Sequence, residues 1–121
     1  MRALVIEDEP LVAMLIEDQL TRMGYSVVVV DSEQAAVTAA RRIRPDLITA
    51  DALIRDGSGV AAVRRICQSG AIPTIYILGS INAAGDGLMP HGFVMRKPFA
   101  APTLYAAVNQ AVHRASHRAT A

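Results

Sequence analysis

Tryptophan is absent from this chain of 121 residues, and aromatic residues make up only 4% of it. The core must therefore be built from Val, Ile, Leu, Ala and Met, and the hydrophobic fraction of 52% is typical of a globular protein. The length suits one domain with a real core and is too short for two. The net charge is only +1, which argues against a large positively charged surface for binding nucleic acid or an anionic membrane.

Cysteine and long apolar runs are also scarce. Cys67 is the only cysteine, so no internal disulfide can form and a reducing compartment is indicated. Glu, Asp or Arg interrupts every apolar stretch before it reaches membrane-spanning length. The N-terminus has an apolar run followed directly by acidic residues, which is not the pattern of a signal peptide. We therefore expect a cytoplasmic protein without a membrane partner.

Two periodicities alternate along the chain. Short continuous apolar runs, typical of strands buried on both faces, are each followed by apolar residues at helical spacing. The exception is the stretch 80–90, whose glycines predict at most a short helix. The repeated βα order predicts an α/β domain with a parallel sheet and helices on both faces. We expect this domain to span residues 2–115, followed by a flexible basic tail at 116–121.

Local signals mark where the helices begin. Pro10 and Pro102 suit the first turn of a helix. Ser32 and Ser58 are expected to cap the second and third helices, because a hydroxyl can accept a hydrogen bond from a free backbone N–H there.

Acidic residues and one lysine stand where predicted strands end. Glu7 and Asp8 follow the first apolar run, Asp51 closes the third, and Lys97 follows the fifth. The carboxyl ends of parallel strands share one edge of the sheet, where ligands bind. Carboxylates that meet there would form a hard-oxygen cation site, with an ammonium beside it to hold an anion.

The loop after the first strand decides among folds that share this pattern. A dinucleotide-binding fold or a P-loop needs glycines there, whereas this loop is 7–10, Glu-Asp-Glu-Pro, which would repel phosphate unless a cation intervened. A phosphatase of the haloacid dehalogenase type needs a carboxylate two residues after its aspartate nucleophile, and that position is Leu53. The remaining candidate is a flavodoxin-like (βα)5 doubly wound sheet with strand order 2-1-3-4-5.

Four separated motifs make the chain resemble a response-regulator receiver domain over nearly its whole length. They are Glu7-Asp8, Asp51, Asp56-Gly57 and Lys97-Pro98-Phe99. The turn 56–59 and the strand ending Leu78-Gly79 are more specifically similar to receivers of the alphaproteobacterial general stress response. The resemblance implies a two-component phosphorelay protein that is not an enzyme, apart from slow self-catalysed phosphorylation and dephosphorylation.

The resemblance also implies roles for the site residues. Asp51 would be the phosphoacceptor, attacking a phosphohistidine or a small acyl phosphate. Asp8, Asp51 and the backbone carbonyl of Leu53 would bind Mg²⁺, and Glu7 would reach it directly or through water. Lys97 would pair with the phosphoryl oxygens.

Further expectations concern geometry and partners. A cis peptide bond before Pro98 would aim Lys97 inward. The phosphodonor would be a sensor histidine kinase or a phosphotransferase, and the downstream protein partner is unknown. No effector domain fits in the remaining residues, so we expect the protein to signal through protein contacts or to act as a phosphate sink. We expect a monomer or a weak dimer. The resemblance implies a contact face made of the fourth strand, the segment after it and the fifth helix, to which Leu104 and Tyr105 would contribute if they are exposed.

Two positions depart from the receiver pattern. The Ser or Thr that usually ends strand four is Leu78, which cannot donate a hydrogen bond, and Ser80 is a candidate substitute. The switching aromatic of strand five is replaced by Val94, and Phe93, one residue away, would face the other side of the strand. The alternative function is therefore a pseudo-receiver, a protein-binding module whose switch is degenerate.

Two other charged positions are interpreted without a role in the site. Glu9 is expected to be solvated, or to interact with the dipole at the start of the first helix. Arg65 is interpreted as part of a solvated helix face.

Overall fold

The strands form one parallel sheet in the order β2-β1-β3-β4-β5, as predicted. The structure is a computed structural model that describes residues 1–79 and 92–120. The strands are β1 (Arg2–Ile6), β2 (Ser26–Val30), β3 (Leu47–Asp51), β4 (Thr74–Leu78) and β5 (Phe93–Arg96). In β3 and β4 every residue is buried, because helices cover both faces of the sheet there.

Four α-helices connect or follow these strands in the described part of the chain. They are α1 (Pro10–Arg22), α2 (Glu33–Ile43), α3 (Gly59–Ile66) and α4 (Ala101–Thr120), and a 3-10 turn, Cys67–Ser69, follows α3. Ser32 accepts a hydrogen bond from the Ala35 N–H at 3.1 Å, and Ser58 accepts one from the Ala61 N–H at 3.2 Å. Both predicted caps are therefore confirmed.

The last helix is longer than expected from the sequence. Helix α4 extends to Thr120, so the segment 116–120 is helical where a flexible tail was predicted. The limits of the domain itself stay a prediction. The predicted short helix within 80–90 and the candidate Ser80 lie outside the described residues.

The core has two layers, one on each face of the sheet. On one face, side chains such as Ala3, Val5 and Met95 pack with α1 and α4. On the other face, side chains such as Leu4 and Ile6 pack with α2 and α3. Because side chains alternate along a strand, each buried strand supplies both layers. Among the described residues, no helix has both the length and the apolar character that a membrane span requires.

The register of the sheet brings the strand ends to one edge. Ile6 pairs with Ala50, Asp51 with Ile77, and Leu78 with Arg96. The residues that follow β1 and β5, and the last residue of β3, therefore lie side by side at that edge.

Candidate functional site

Three carboxylates meet at the carboxyl edge of the sheet. Glu7, Asp8 and Asp51 each place one oxygen within 4.8 Å of the others. Glu7 is 2% exposed and Asp51 is 4% exposed, while Asp8 is half-buried. Clustered carboxylate oxygens suit a hard divalent cation such as Mg²⁺. The structure thus brings together the acidic residues that were singled out from the sequence.

Lys97 supplies positive charge to this cluster. Its Nζ lies 2.9 Å from Asp51 Oδ2, 3.1 Å from Glu9 Oε1 and 3.3 Å from Glu7 Oε1. Burial alone would lower the pKa of Lys97, but hydrogen bonds to Asp51 and Glu9, and the charges of Asp51 and Glu7, raise it overall. Lys97 is therefore a permanent cation at neutral pH. The Lys97–Pro98 peptide bond is cis, as predicted.

Glu7 is the most deeply buried acid of the cluster. Burial, and then a hydrogen bond with Asp51, raise the pKa of Glu7 to about 7. Its Oε2 accepts a hydrogen bond from the Glu9 N–H at 3.1 Å. Its Oε1 accepts none from any described residue, although Lys97 Nζ is 3.3 Å away. A buried oxygen without a donor, facing other carboxylates, fits a site that accommodates a cation.

The backbone of the loop after Asp51 contacts two of the acids. The Leu53 N–H donates to Asp51 Oδ1 at 3.2 Å, and the Arg55 N–H donates to Asp8 Oδ2 at 2.8 Å. The Arg55 guanidinium is also 3.8 Å from Asp8, but it is mostly exposed. These contacts orient both carboxylates. The role of the Leu53 carbonyl as a metal ligand stays a prediction.

Two charged residues are exposed, as expected from the sequence, and each also makes an ion pair that was not predicted. The Glu9 carboxylate contacts Lys97 Nζ. Arg65 NH1 lies 3.1 Å from Glu33 Oε2. Both contacts join residues far apart in the chain, so no local pattern could reveal them.

The positions expected to read out the site have unusual surroundings. The Leu78 side chain is 1% exposed, and its carbonyl accepts a hydrogen bond from the Lys97 N–H at 2.8 Å. Val94 is 50% exposed. Phe93 packs against the core on the α4 side, where the Arg114 guanidinium lies 4.4 Å from its ring centre.

The expected contact residues of α4 differ from each other in burial. Leu104 is fully buried in the core and cannot contribute to a contact face. Tyr105 is 51% exposed and is available for one.

Comparison with known proteins gives a consistent result. A family model described as the response regulator receiver domain matches residues 3–109. The chain is 34% identical over 113 residues to the phyllosphere-induced regulator PhyR of Methylorubrum extorquens, covering 90% of this chain and 42% of that protein. The chain therefore spans less than half the length of this curated relative.

Two solved structures are similar to this fold. The anti-anti-sigma factor PhyR from Bartonella quintana is 32% identical with a TM-score of 0.85, covering 98% of this chain and 50% of that chain. The signal receiver domain of a modulated diguanylate cyclase from Desulfovibrio desulfuricans G20 is 29% identical with a TM-score of 0.84, covering 97% of both chains.

Proposed function

This chain belongs to the response regulator receiver domain family, and from that membership we propose that Asp51 accepts a phosphoryl group in two-component signalling. The donor would be a phosphohistidine of a sensor histidine kinase or a phosphotransferase. One observation carries the proposal: the buried Asp51 carboxylate lies between two further carboxylates and the Lys97 ammonium, 2.9 Å away. This combination of charges suits both a metal ion and a phosphoryl group.

The proposed reaction is a direct transfer. A carboxylate oxygen of Asp51 forms a bond to phosphorus while the P–N bond of the phosphohistidine breaks. The electron pair of that bond stays on the imidazole nitrogen, and the donor histidine leaves as a neutral imidazole or takes up a proton. Lys97, which contacts Asp51 Oδ2 before transfer, supplies positive charge to the phosphoryl oxygens afterwards.

We propose that Asp8 and Asp51, together with Glu7 and the Leu53 carbonyl, would hold Mg²⁺. When bound, this ion neutralises charge on the transferring phosphoryl group. The proposal is supported by the convergence of three carboxylates and by the buried Glu7 Oε1 that accepts no hydrogen bond from a described residue. Glu7 must lose its proton to serve as a ligand, so metal binding competes with protonation.

The first turns of α1 are the proposed docking face for the donor protein. Leu11 is 79% exposed, Met14 is 64% exposed and Leu15 is 47% exposed. Helix α1 begins three residues after Glu7, so this apolar patch adjoins the acidic cluster. A donor histidine must reach Asp51 at that edge, and a donor that covers the patch would bury these side chains from water.

We infer a role in the general stress response from the similarity to PhyR proteins, one of which is described as an anti-anti-sigma factor. Output would then pass through contacts with a protein partner, for which the exposed Tyr105 is a candidate. We place the protein in the cytoplasm, where the free, half-buried Cys67 would stay reduced. We also propose a monomer or weak dimer.

A second candidate function is a pseudo-receiver that binds partners without switching. It is favoured by Leu78, which cannot donate a hydrogen bond to a phosphoryl group, and by the half-exposed Val94 in place of an aromatic. In this case the site would still bind Mg²⁺ and a phosphate mimic, but the effect would stay local.

One titration tests both candidates. Mg²⁺ and beryllofluoride, a phosphate mimic, are added while backbone amide NMR shifts are followed. We expect shifts at residues 51–57 and 97 in the wild type and in Asp56→Asn, an exposed carboxylate in the same loop. Shifts that also extend beyond these residues would favour the switching receiver, and shifts confined to them would favour the pseudo-receiver. Asp51→Asn should lose the beryllofluoride response. No response in the wild type, or an unchanged response in Asp51→Asn, would exclude the phosphoacceptor role.

The docking face has its own test. Leu11→Ser combined with Met14→Ser should slow phosphorylation by a histidine kinase that phosphorylates the wild type. Reaction with acetyl phosphate should be unchanged, because that small donor needs no docking surface. Equal slowing with both donors would show that the substitutions damage the site itself.

A further inference from the structure

Glu33, in the first turn of α2, holds the loop that follows Asp51. Its Oε1 accepts a hydrogen bond from the Ser58 N–H at 3.2 Å. Its own backbone N–H donates to the Asp56 carbonyl at 3.1 Å. These two contacts attach the loop to α2 on both sides of Gly57. A Cβ at Gly57 would lie 2.7 Å from Glu33 Oε1, so loop and side chain are also in close steric contact.

The second carboxylate oxygen of Glu33 extends the connection to α3. Arg65 NH1 lies 3.1 Å from Glu33 Oε2, and Arg65 NH2 lies 3.3 Å from Gln34 Oε1. The side chains of Arg65 and Glu33 are 41% and 25% exposed, compared with 73% and 65% for the surface pair Arg22–Asp18. The Glu33 pair is thus better shielded and better supported by hydrogen bonds than an ordinary surface ion pair.

The same loop orients the acidic cluster. Between Asp51 and Ser58, its backbone N–H groups hold Asp51 through Leu53 and Asp8 through Arg55. Any shift of the loop would therefore move these donors relative to the carboxylates. We propose that Glu33 is a positioning residue that keeps the Leu53–Arg55 backbone in place and thereby sets the Mg²⁺ affinity of the site. The consequence for Mg²⁺ rests on the proposed function, whereas the positioning of the loop does not.

A simpler role for Glu33 is that of an acid near a helix N-terminus. The helix dipole favours negative charge there, and this role affects only stability. It requires no contact with the loop. The two roles therefore predict different responses of the Ser58 and Arg55 amides, which lie outside α2.

Three variants separate these roles. Glu33→Ala removes both the loop contact and the Arg65 contact. Glu33→Gln keeps a carbonyl oxygen that can accept the hydrogen bond from Ser58 but has no charge. Glu17→Ala, at an exposed position of α1, is the matched control for loss of a helix carboxylate.

Amide hydrogen exchange and an Mg²⁺ titration are the two measurements. In the metal-free protein, Glu33→Ala should speed exchange at Ser58 and Arg55 by about tenfold while core amides of β1 change little. The apparent dissociation constant for Mg²⁺ should rise about tenfold. Glu33→Gln should keep most of the wild-type protection from exchange and most of the wild-type Mg²⁺ affinity. Glu17→Ala should change neither.

Other outcomes would overturn specific parts of the proposal. Unchanged exchange at Arg55 in Glu33→Ala would exclude the positioning role, even if Ser58, whose N–H loses its own acceptor, exchanges faster. Faster exchange with an unchanged Mg²⁺ dissociation constant would exclude its link to the metal site. A wild type that binds no Mg²⁺ would instead contradict the proposed function, and the exchange measurement would still decide whether Glu33 positions the loop.

Discussion

Lys97 Nζ and Asp51 Oδ2 lie 2.9 Å apart, joining the residue after β5 to the last residue of β3. Lys97 is the only lysine of the chain, and its side chain is 15% exposed. It is also the one positive side chain within salt-bridge distance of Glu7, Glu9 and Asp51 among the described residues. Three carboxylates thus depend on one ammonium for their charge balance.

Replacing this ammonium should destabilise the metal-free protein at neutral pH. We expect Lys97→Met to lower the free energy of unfolding by about 3 kcal/mol, because buried carboxylates lose their counter-charge. The loss should not be larger, because Glu7 can take up a proton when Lys97 is absent and so avoid an uncompensated buried charge. The control is Arg22→Met, which removes an exposed i,i+4 pair and should change stability by less than about 0.5 kcal/mol. Urea denaturation measures both, and equal effects would contradict the charge-balance argument.

Glu7 should make the stability of the metal-free protein depend on pH. Its pKa is about 7 in the folded protein and 4.5 in the unfolded chain, so folding favours its protonated form. The resulting stabilisation is fully present below pH 4.5 and is lost as the pH rises through about 7. As the pH rises from 4.5 through about 7, the free energy of unfolding of the wild type should therefore fall relative to that of Glu7→Gln. Urea denaturation in EDTA at several pH values tests this.

The matched control for the pH effect is Glu17→Gln, since Glu17 is exposed on α1. The Glu7→Gln difference from the wild type should change with pH more than the Glu17→Gln difference does. Equal pH dependence of the two differences would contradict the raised pKa of Glu7.

Gly57 and Gly24 should respond differently to alanine. Both have positive φ, +107° and +98°, but only Gly57 faces a close neighbour, while nothing lies within 4 Å of a Cβ at Gly24. Gly24→Ala should cost about 1 kcal/mol for the left-handed backbone alone. Gly57→Ala should cost more, because its Cβ would lie 2.7 Å from Glu33 Oε1 and 2.8 Å from Glu33 Cβ. The excess should shrink only in part in a Glu33→Ala background, which removes Oε1 but keeps Cβ. Equal costs for the two single variants would exclude the steric contact with Glu33.

Ser58 should contribute more to stability than Ser32, although both cap helices. Each accepts a hydrogen bond from a backbone N–H of its helix, but the Ser58 hydroxyl also donates to the Ala52 carbonyl at 3.3 Å. Ser32→Ala should cost about 1 kcal/mol. Ser58→Ala should cost up to about 1 kcal/mol more, because it leaves a carbonyl next to Asp51 without this donor. Thermal or urea unfolding of the two variants gives the comparison.

Much of the fold could be predicted because the signals are local. Short apolar runs indicated the buried strands, and the serines at positions 32 and 58 indicated the caps. The length of α4 could not be predicted in this way, since its small, basic last residues carry no strong helical pattern, yet the helix extends to Thr120. Similarly, nothing local distinguished the exposed Tyr105 from the buried Leu104 beside it.

The sequence by itself determined which acids and which cation would meet, because strand ends of a parallel sheet share an edge. Only the tertiary structure decided how they pair. Lys97 reaches Glu9 across 88 positions of the chain, the Arg55 N–H reaches Asp8 across 47, and Arg65 reaches Glu33 across 32. Such contacts depend on loop paths and on the directions of side chains after packing. That packing buries Glu7 and leaves one of its oxygens without a hydrogen-bond donor among the described residues, beside Asp8 and Asp51.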